Sequence, residues 1–167
     1  MNHLRDTTAY TPQAIIDGQR SVVGSRERDI LRAIQESASR PRLEIQIKSG
    51  AAASGAVSLN VRAENVEKMA TGSGDIAEIW VAIAERNLKS DVKEGENAGR
   101  NLRHSLVLRS LKKLGTASAS NKPAYEATAQ VKLSREWKHQ DLEMIVFAQE
   151  KRSRKVLGVA SAELSGN

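Results

Sequence analysis

The chain has 167 residues, with 26 Lys+Arg against 20 Asp+Glu, a net charge of +6 and no cysteine. Without cysteine there can be no disulfide, thiolate nucleophile, zinc–thiolate site or dithiol exchange. A hydrophobic content of 40% and a mean hydropathy of −0.46 read as a globular chain of one full domain, or one small domain plus a fragment.

No apolar run reaches the roughly 18 residues that a membrane span needs. Met1 to Tyr10 is polar and lacks the apolar core of a signal peptide. As written, the chain is expected to stay where it is made, in the cytoplasm. The basic excess is spread out, with local knots at Arg109–Lys113 and Lys151–Lys155. It reads as solvated surface. Aromatics are 3% of the chain, too few for the stacking platforms of a nucleic-acid binder, so nucleic acid is not an expected partner. His3, His104 and His139 lack metal-ligand spacing, and no metal or cofactor is expected.

The first ordered stretch runs from Tyr10 to Gln35. Ala14-Ile15-Ile16 is a short β-branched run suited to a strand buried on both faces. Asp17-Gly18 is a hairpin signal, and Gln19 to Val23 returns as the partner strand. After Gly24, Ser25 is a suitable N-cap, and Glu27 and Asp29 complement the start of a helix dipole. Ile30, Leu31 and Ile34 share a helical face with Ala33 and Ala38 beside them. Pro41 stops the helix. The order of proline, strand, Asp-Gly turn, strand, glycine and helix resembles the second half of a thioredoxin-like fold. Pro12 would then be the cis proline of that fold, although only about 5–6% of X–Pro bonds are cis. By the same resemblance, the backbone of Thr11 would face an extended peptide or a bound thiol compound.

Beyond Arg40 the period changes to two. Leu43, Ile45 and Ile47 alternate with polar residues, as do Val57, Leu59 and Val61. A turn is expected at Ser49–Gly55 and a polar loop at Glu64–Gly74, with a short helical turn at Glu67–Met69. Ile76 to Arg86 is read as a central strand, with Ile79, Val81 and Ile83 on one face and Glu78, Trp80 and Ala82 on the other. Leu88–Lys93 reads as a short edge strand and Glu94–Asn101 as a loop. Leu102–Leu114 fits a helix or a strand, with Gly115 as its end and a loop from Thr116 to Pro123. Tyr125–Leu133, Leu142–Ala148 and Lys155–Leu164 read as strands, the last two joined by a charged turn at Glu150–Arg154. Short alternating strands at this spacing argue for an antiparallel β-sandwich.

The fold class expected is therefore α+β: a strand-strand-helix unit over residues 1–40, then a β-sandwich over 42–167. The Tyr10–Ile34 stretch and Lys93–Gly115 together resemble a bacterial secreted family defined as domain of unknown function number 1223. The resemblance implies a thioredoxin-like domain followed by a β-sandwich, and a periplasmic or secreted location. It also implies that the family's Cys-containing segment would precede Tyr10, so no family cysteine maps onto a residue here. The resemblance implies a redox-like scaffold; with no cysteine in the chain, the function expected is a non-catalytic binding or scaffold remnant of a thioredoxin-like redox protein, whose partner is a protein or peptide.

The alternative is an enzyme or ligand-binding site in the loop carrying Glu96, Asn97, Gly99 and Arg100, with His104 beside it. Glu96 and Arg100 could pair to fix the loop, or Arg100 could clamp a carboxylate or phosphate. Asn97 and Gly99 tolerate left-handed backbone, and His104 could serve as a base next to Glu96. The apolar rim of the strand-strand-helix unit is expected to pack on the sandwich, pair across a homodimer or stay mobile.

Overall fold

The computed structural model describes residues 11–50, 55–65, 76–117 and 124–164. The expectations placed on Met1 to Tyr10, on the turn after Gly50, on Glu67–Met69 and on most of the loop before Pro123 lie outside these residues. The described chain is mostly antiparallel sheet with one short helix.

Two short strands come first, β1 (Gln13–Ile16) and β2 (Arg20–Val23), followed by α1 (Glu27–Ala38). Asp17 and Gly18 both take positive φ, 51° and 66°, as a two-residue primed turn demands. The Gln19 amide closes the turn on the Ile16 carbonyl at 3.0 Å. The Thr11–Pro12 peptide bond is cis.

Two expectations for this unit are corrected. Ser25 does not cap the helix: Arg26 stands at the N-cap, without a side-chain bond. Nor is β1 buried on both faces, since Ile15, in a two-stranded sheet, is 54% exposed.

The remaining strands form two packed sheets. One has the order β3 (Glu44–Ser49), β4 (Ala56–Glu64), β7 (Ala124–Lys132). The other has the order β6 (Asn101–Ala117), β5 (Ala77–Asp91), β8 (Leu142–Glu150), β9 (Val156–Glu163). All pairings are antiparallel. The alternation seen in the sequence sets the faces. Val57, Leu59 and Val61 of β4 meet Ile79, Val81, Ile83, Met144 and Val146 of β5 and β8 in one continuous buried core.

The central strand over Ile76–Arg86 is present as expected, but it does not stop there. Leu88–Asp91 continues β5, and Asn101–His104 of β6 pairs with it. Since β8 reaches only to Glu85, these residues project as a two-stranded arm. The ambiguous Leu102–Leu114 segment is strand, and Gly115 does not end it.

Candidate functional site

The strand-strand-helix unit is fixed to the larger β body by its turn. The Asp17 carbonyl accepts from the Val156 amide at 2.9 Å, and Gln19 Nε2 donates to the Ser153 carbonyl. Arg42, just past the helix, completes the joint. Its Nη1 donates to the Val156 carbonyl at 2.9 Å. Its Nη2 reaches the Ser37 carbonyl and hydroxyl, both at 2.7 Å, and pairs with the Asp17 carboxylate. One guanidinium thus ties helix end, turn and β9 together, as its fixed fork of donors allows. Nothing in the sequence pattern singled out Arg42, because two of its three partners, Asp17 and Val156, are distant along the chain.

The register of the hairpin divides its two faces. Ala14 opposes Val22 and Ile16 opposes Arg20 on one face; Gln13 opposes Val23 and Ile15 opposes Ser21 on the other. α1 covers the first face, since Arg20 Nη1 bonds Glu36 Oε2 at 2.5 Å and Val22 is buried. At about 100° per residue, Ile30, Ala33 and Ser37 form one stripe, and Ala33 and Ser37 are the buried helix residues. Glu36 falls on the flank toward β2. Leu31 and Ile34 fall on the opposite flank, toward β1, and are 51% and 47% exposed. The expected apolar face is therefore displaced: Ala33 and Ser37 are buried, while Leu31 and Ile34 are about half exposed on the flank that helix geometry turns toward the outer edge of β1. That edge has no strand beside it among the described residues. Thr11 and Pro12 stand exposed where the edge begins. The Pro12 carbonyl is turned inward, accepting from the Gly24 amide at 2.7 Å.

The second candidate region lies at the tip and base of the arm. Val92 and Arg100 close the tip through the Val92 amide and Arg100 carbonyl at 2.9 Å, and the Gly99 amide returns to the Val92 carbonyl at 2.8 Å. Gly99 has φ 79°, and the other left-handed position is Gly95 rather than Asn97. Glu96, Asn97, Gly99 and Arg100 are exposed, and no ion pair joins Glu96 to Arg100. His104 sits further down the arm, where Nε2 meets Ser90 Oγ at 2.9 Å. The shallow hollow beside His104 is lined by arm residues from Asn87–Lys89 and Arg103–Ser105, without Glu96 or Arg100. The structure does not bring the three together. Where the arm leaves the sheet, Arg86 bonds Glu143 at 2.8 Å and Glu163 at 2.9 Å, and the first of these holds the Glu143 carboxyl below its usual range.

No group of metal-ligating side chains occurs among the described residues. No described helix is long and apolar enough to cross a membrane.

The family model described as Protein of unknown function (DUF1223) matches residues 1–149. No curated protein matches the chain. Among solved structures, HBP35 of Porphyromonas gingivalis is similar, with a TM-score of 0.54 and 14% identity over 83% of this chain and 45% of that one. The chain spans less than half the length of that structure, and at such identity the likeness concerns the fold alone.

Proposed function

The chain belongs to the DUF1223 family, and we propose that it acts as a non-catalytic binding protein that takes up an extended segment of a protein partner along β1. In this reading β1, β2 and α1 are the second half of a thioredoxin-like fold. The observation that carries it is the exposure of Leu31, Ile34 and Ile15 around an edge of β1 that has no neighbouring strand among the described residues. A strand added beside β1 would gain main-chain hydrogen bonds and set its side chains against these residues, the usual logic of strand addition. Burying each large aliphatic side chain contributes about 1.5–3 kcal/mol in full. The absence of cysteine removes thiol–disulfide exchange from what the unit can do. By the same family resemblance we place its site of action in the periplasm or outside the cell, which fractionation of the producing bacterium would test.

The test uses reduced, carboxymethylated lactalbumin as an unfolded polypeptide probe. Binding to the full chain should slow hydrogen exchange at Gln13–Ile16 and weaken in Ile15→Lys and in Leu31→Glu/Ile34→Glu. Binding that ignores these substitutions, or none, overturns the reading. A dimer in light scattering that the same substitutions dissolve would assign the edge to a second copy instead. Reduction of insulin disulfides by the purified chain without added thiol would end the non-catalytic part.

A further inference from the structure

The two sheets close on each other along one pair of edges and only partly along the other, where β6 meets β7 at Gly115 and Tyr125 and leaves a cleft between Ser110 and Lys132. On the closed side the Leu43 amide bonds the Leu157 carbonyl at 2.8 Å, bringing the start of β3 against β9. The approach is so tight that a Cβ on Gly158 would lie 2.5 Å from the Leu43 carbonyl oxygen. On the other side, β6 and β7 flank an open cleft of about 910 Å³, within the size range of ligand sites. Among the described residues, the charged ones lining it are Lys112, Lys132 and Arg135, with no carboxylate.

Nearby cations behave differently. Arg109 is paired with Glu85 and Lys113 with Glu78, at 2.7 and 2.6 Å. Among the described residues, no carboxylate pairs with Lys112, Lys132 or Arg135. Lys112 Nζ instead donates to the Gln130 carbonyl at 3.2 Å. That carbonyl belongs to the side of β7 that faces away from β4, where no strand pairs among the described residues. A lysine on such an edge is a common guard against unwanted pairing. It also shows that the edge accepts a donor from outside its own sheet.

We propose that this cleft binds an extended acidic peptide segment. Its carboxylates would meet Lys112, Lys132 and Arg135, the last able to take one bidentately, while its main chain runs along β7. Among the described residues no aromatic side chain lines the cleft, so they offer nothing on which nucleic-acid bases could stack. The site is separate from the β1 edge and does not depend on it.

Fluorescence anisotropy on the full chain provides the test. The probe is a short fluorescein-labelled peptide alternating glutamate and valine. Saturable, salt-sensitive binding is expected, with the glutamine-for-glutamate peptide failing to bind. Lys132→Glu/Arg135→Glu should weaken it roughly tenfold or more. Lys89→Glu/Arg103→Glu, an equal charge change on the arm, should leave it within about twofold. No saturable binding, equal losses in both variants, or oligothymidylate of matched charge binding as tightly would each overturn the proposal.

Discussion

Arg42 holds Ser37 by two hydrogen bonds of 2.7 Å, one to its carbonyl and one to its hydroxyl. Ser37 is among the few buried polar residues of the chain, and it lies one position before the end of α1. The guanidinium thus satisfies both a buried hydroxyl and one of the carbonyls that a helix C-terminus leaves unpaired. Arg42→Met keeps much of the aliphatic stem and removes the donors. Hydrogen bonds from a charged group contribute about 1.5–3 kcal/mol each, and partial exposure of Arg42 places the expected loss at the low end of that range. Hydrogen exchange should speed up across Gln13–Ala38 while the amides of β5 and β8 keep their protection. A uniform loss of protection throughout would show instead that the unit and the β body unfold together.

Gly18 sits where the turn meets the 151–155 loop. A Cβ there would stand 1.9 Å from the Arg154 carbonyl oxygen, at a backbone φ of 66°. Gly95 at the arm tip has a similar φ, 83°, with nothing within 4 Å. The pair separates conformational strain from steric exclusion. Gly95→Ala should cost about 1 kcal/mol, the strain of a left-handed alanine. Gly18→Ala carries that strain and must also push the turn off Arg154, so protection of the Asp17–Val156 bond should be lost. Equal urea midpoints for the two variants would mean that the docking contact contributes nothing.

The strands of the core were readable because burial imposes a strict period. Val57, Leu59 and Val61 must point inward on every second residue, and they do. The arm was legible only in part, for the converse reason: its strand at Leu88 and its loop at Glu94 could be read, but not that the strand continues β5. Beyond Glu85 the β5–β6 pair has no sheet behind it, so Lys89 and Arg103 can sit opposite each other with no core to exclude them. The helix offered two stripes at compatible spacing, and hydrophobicity favoured Leu31 and Ile34. Packing chose Ala33 and Ser37 instead, since small residues let the helix lie close on a two-stranded hairpin. Lys112, Lys132 and Arg135 come from two strands and a loop, and only the topology places them around one cleft.

Glu85 is 1% exposed and fully committed. Oε2 accepts from Arg109 Nε at 2.7 Å and Oε1 from the Lys138 amide at 3.2 Å. The arm's root and the 134–138 connection are therefore held by one carboxylate. Glu85→Gln retains the acceptor for Lys138 and loses the charge facing Arg109, which should cost about 1–3 kcal/mol. Glu85→Gln/Arg109→Leu removes both charges while keeping the acceptor for Lys138 and should recover much of that loss, because a buried ion pair often exchanges for uncharged packing at little net cost. Urea denaturation of the two variants gives the comparison. A double variant less stable than Glu85→Gln would assign the pair a net stabilising role that packing cannot replace.

Acid should weaken the fold through two carboxylates whose pKa values lie below the ordinary glutamate value in the folded chain. Lys113 Nζ donates to Glu78 at 2.6 Å, and that bond is the main reason the Glu78 carboxyl is held low despite its burial. Arg86 does the same for Glu143. A carboxyl with a lowered folded pKa binds its proton more readily in the unfolded chain. Its stabilising contribution is therefore complete above the unfolded value and disappears as pH falls through the lowered folded one. Urea midpoints should hold near neutrality and drop from about pH 5 downward. Lys113→Met removes the largest cause of the Glu78 shift and leaves that carboxyl buried without its donor, so the midpoint at neutral pH should fall and the acid slope should flatten. An unchanged slope in Lys113→Met would mean that the acid sensitivity arises elsewhere than at Glu78.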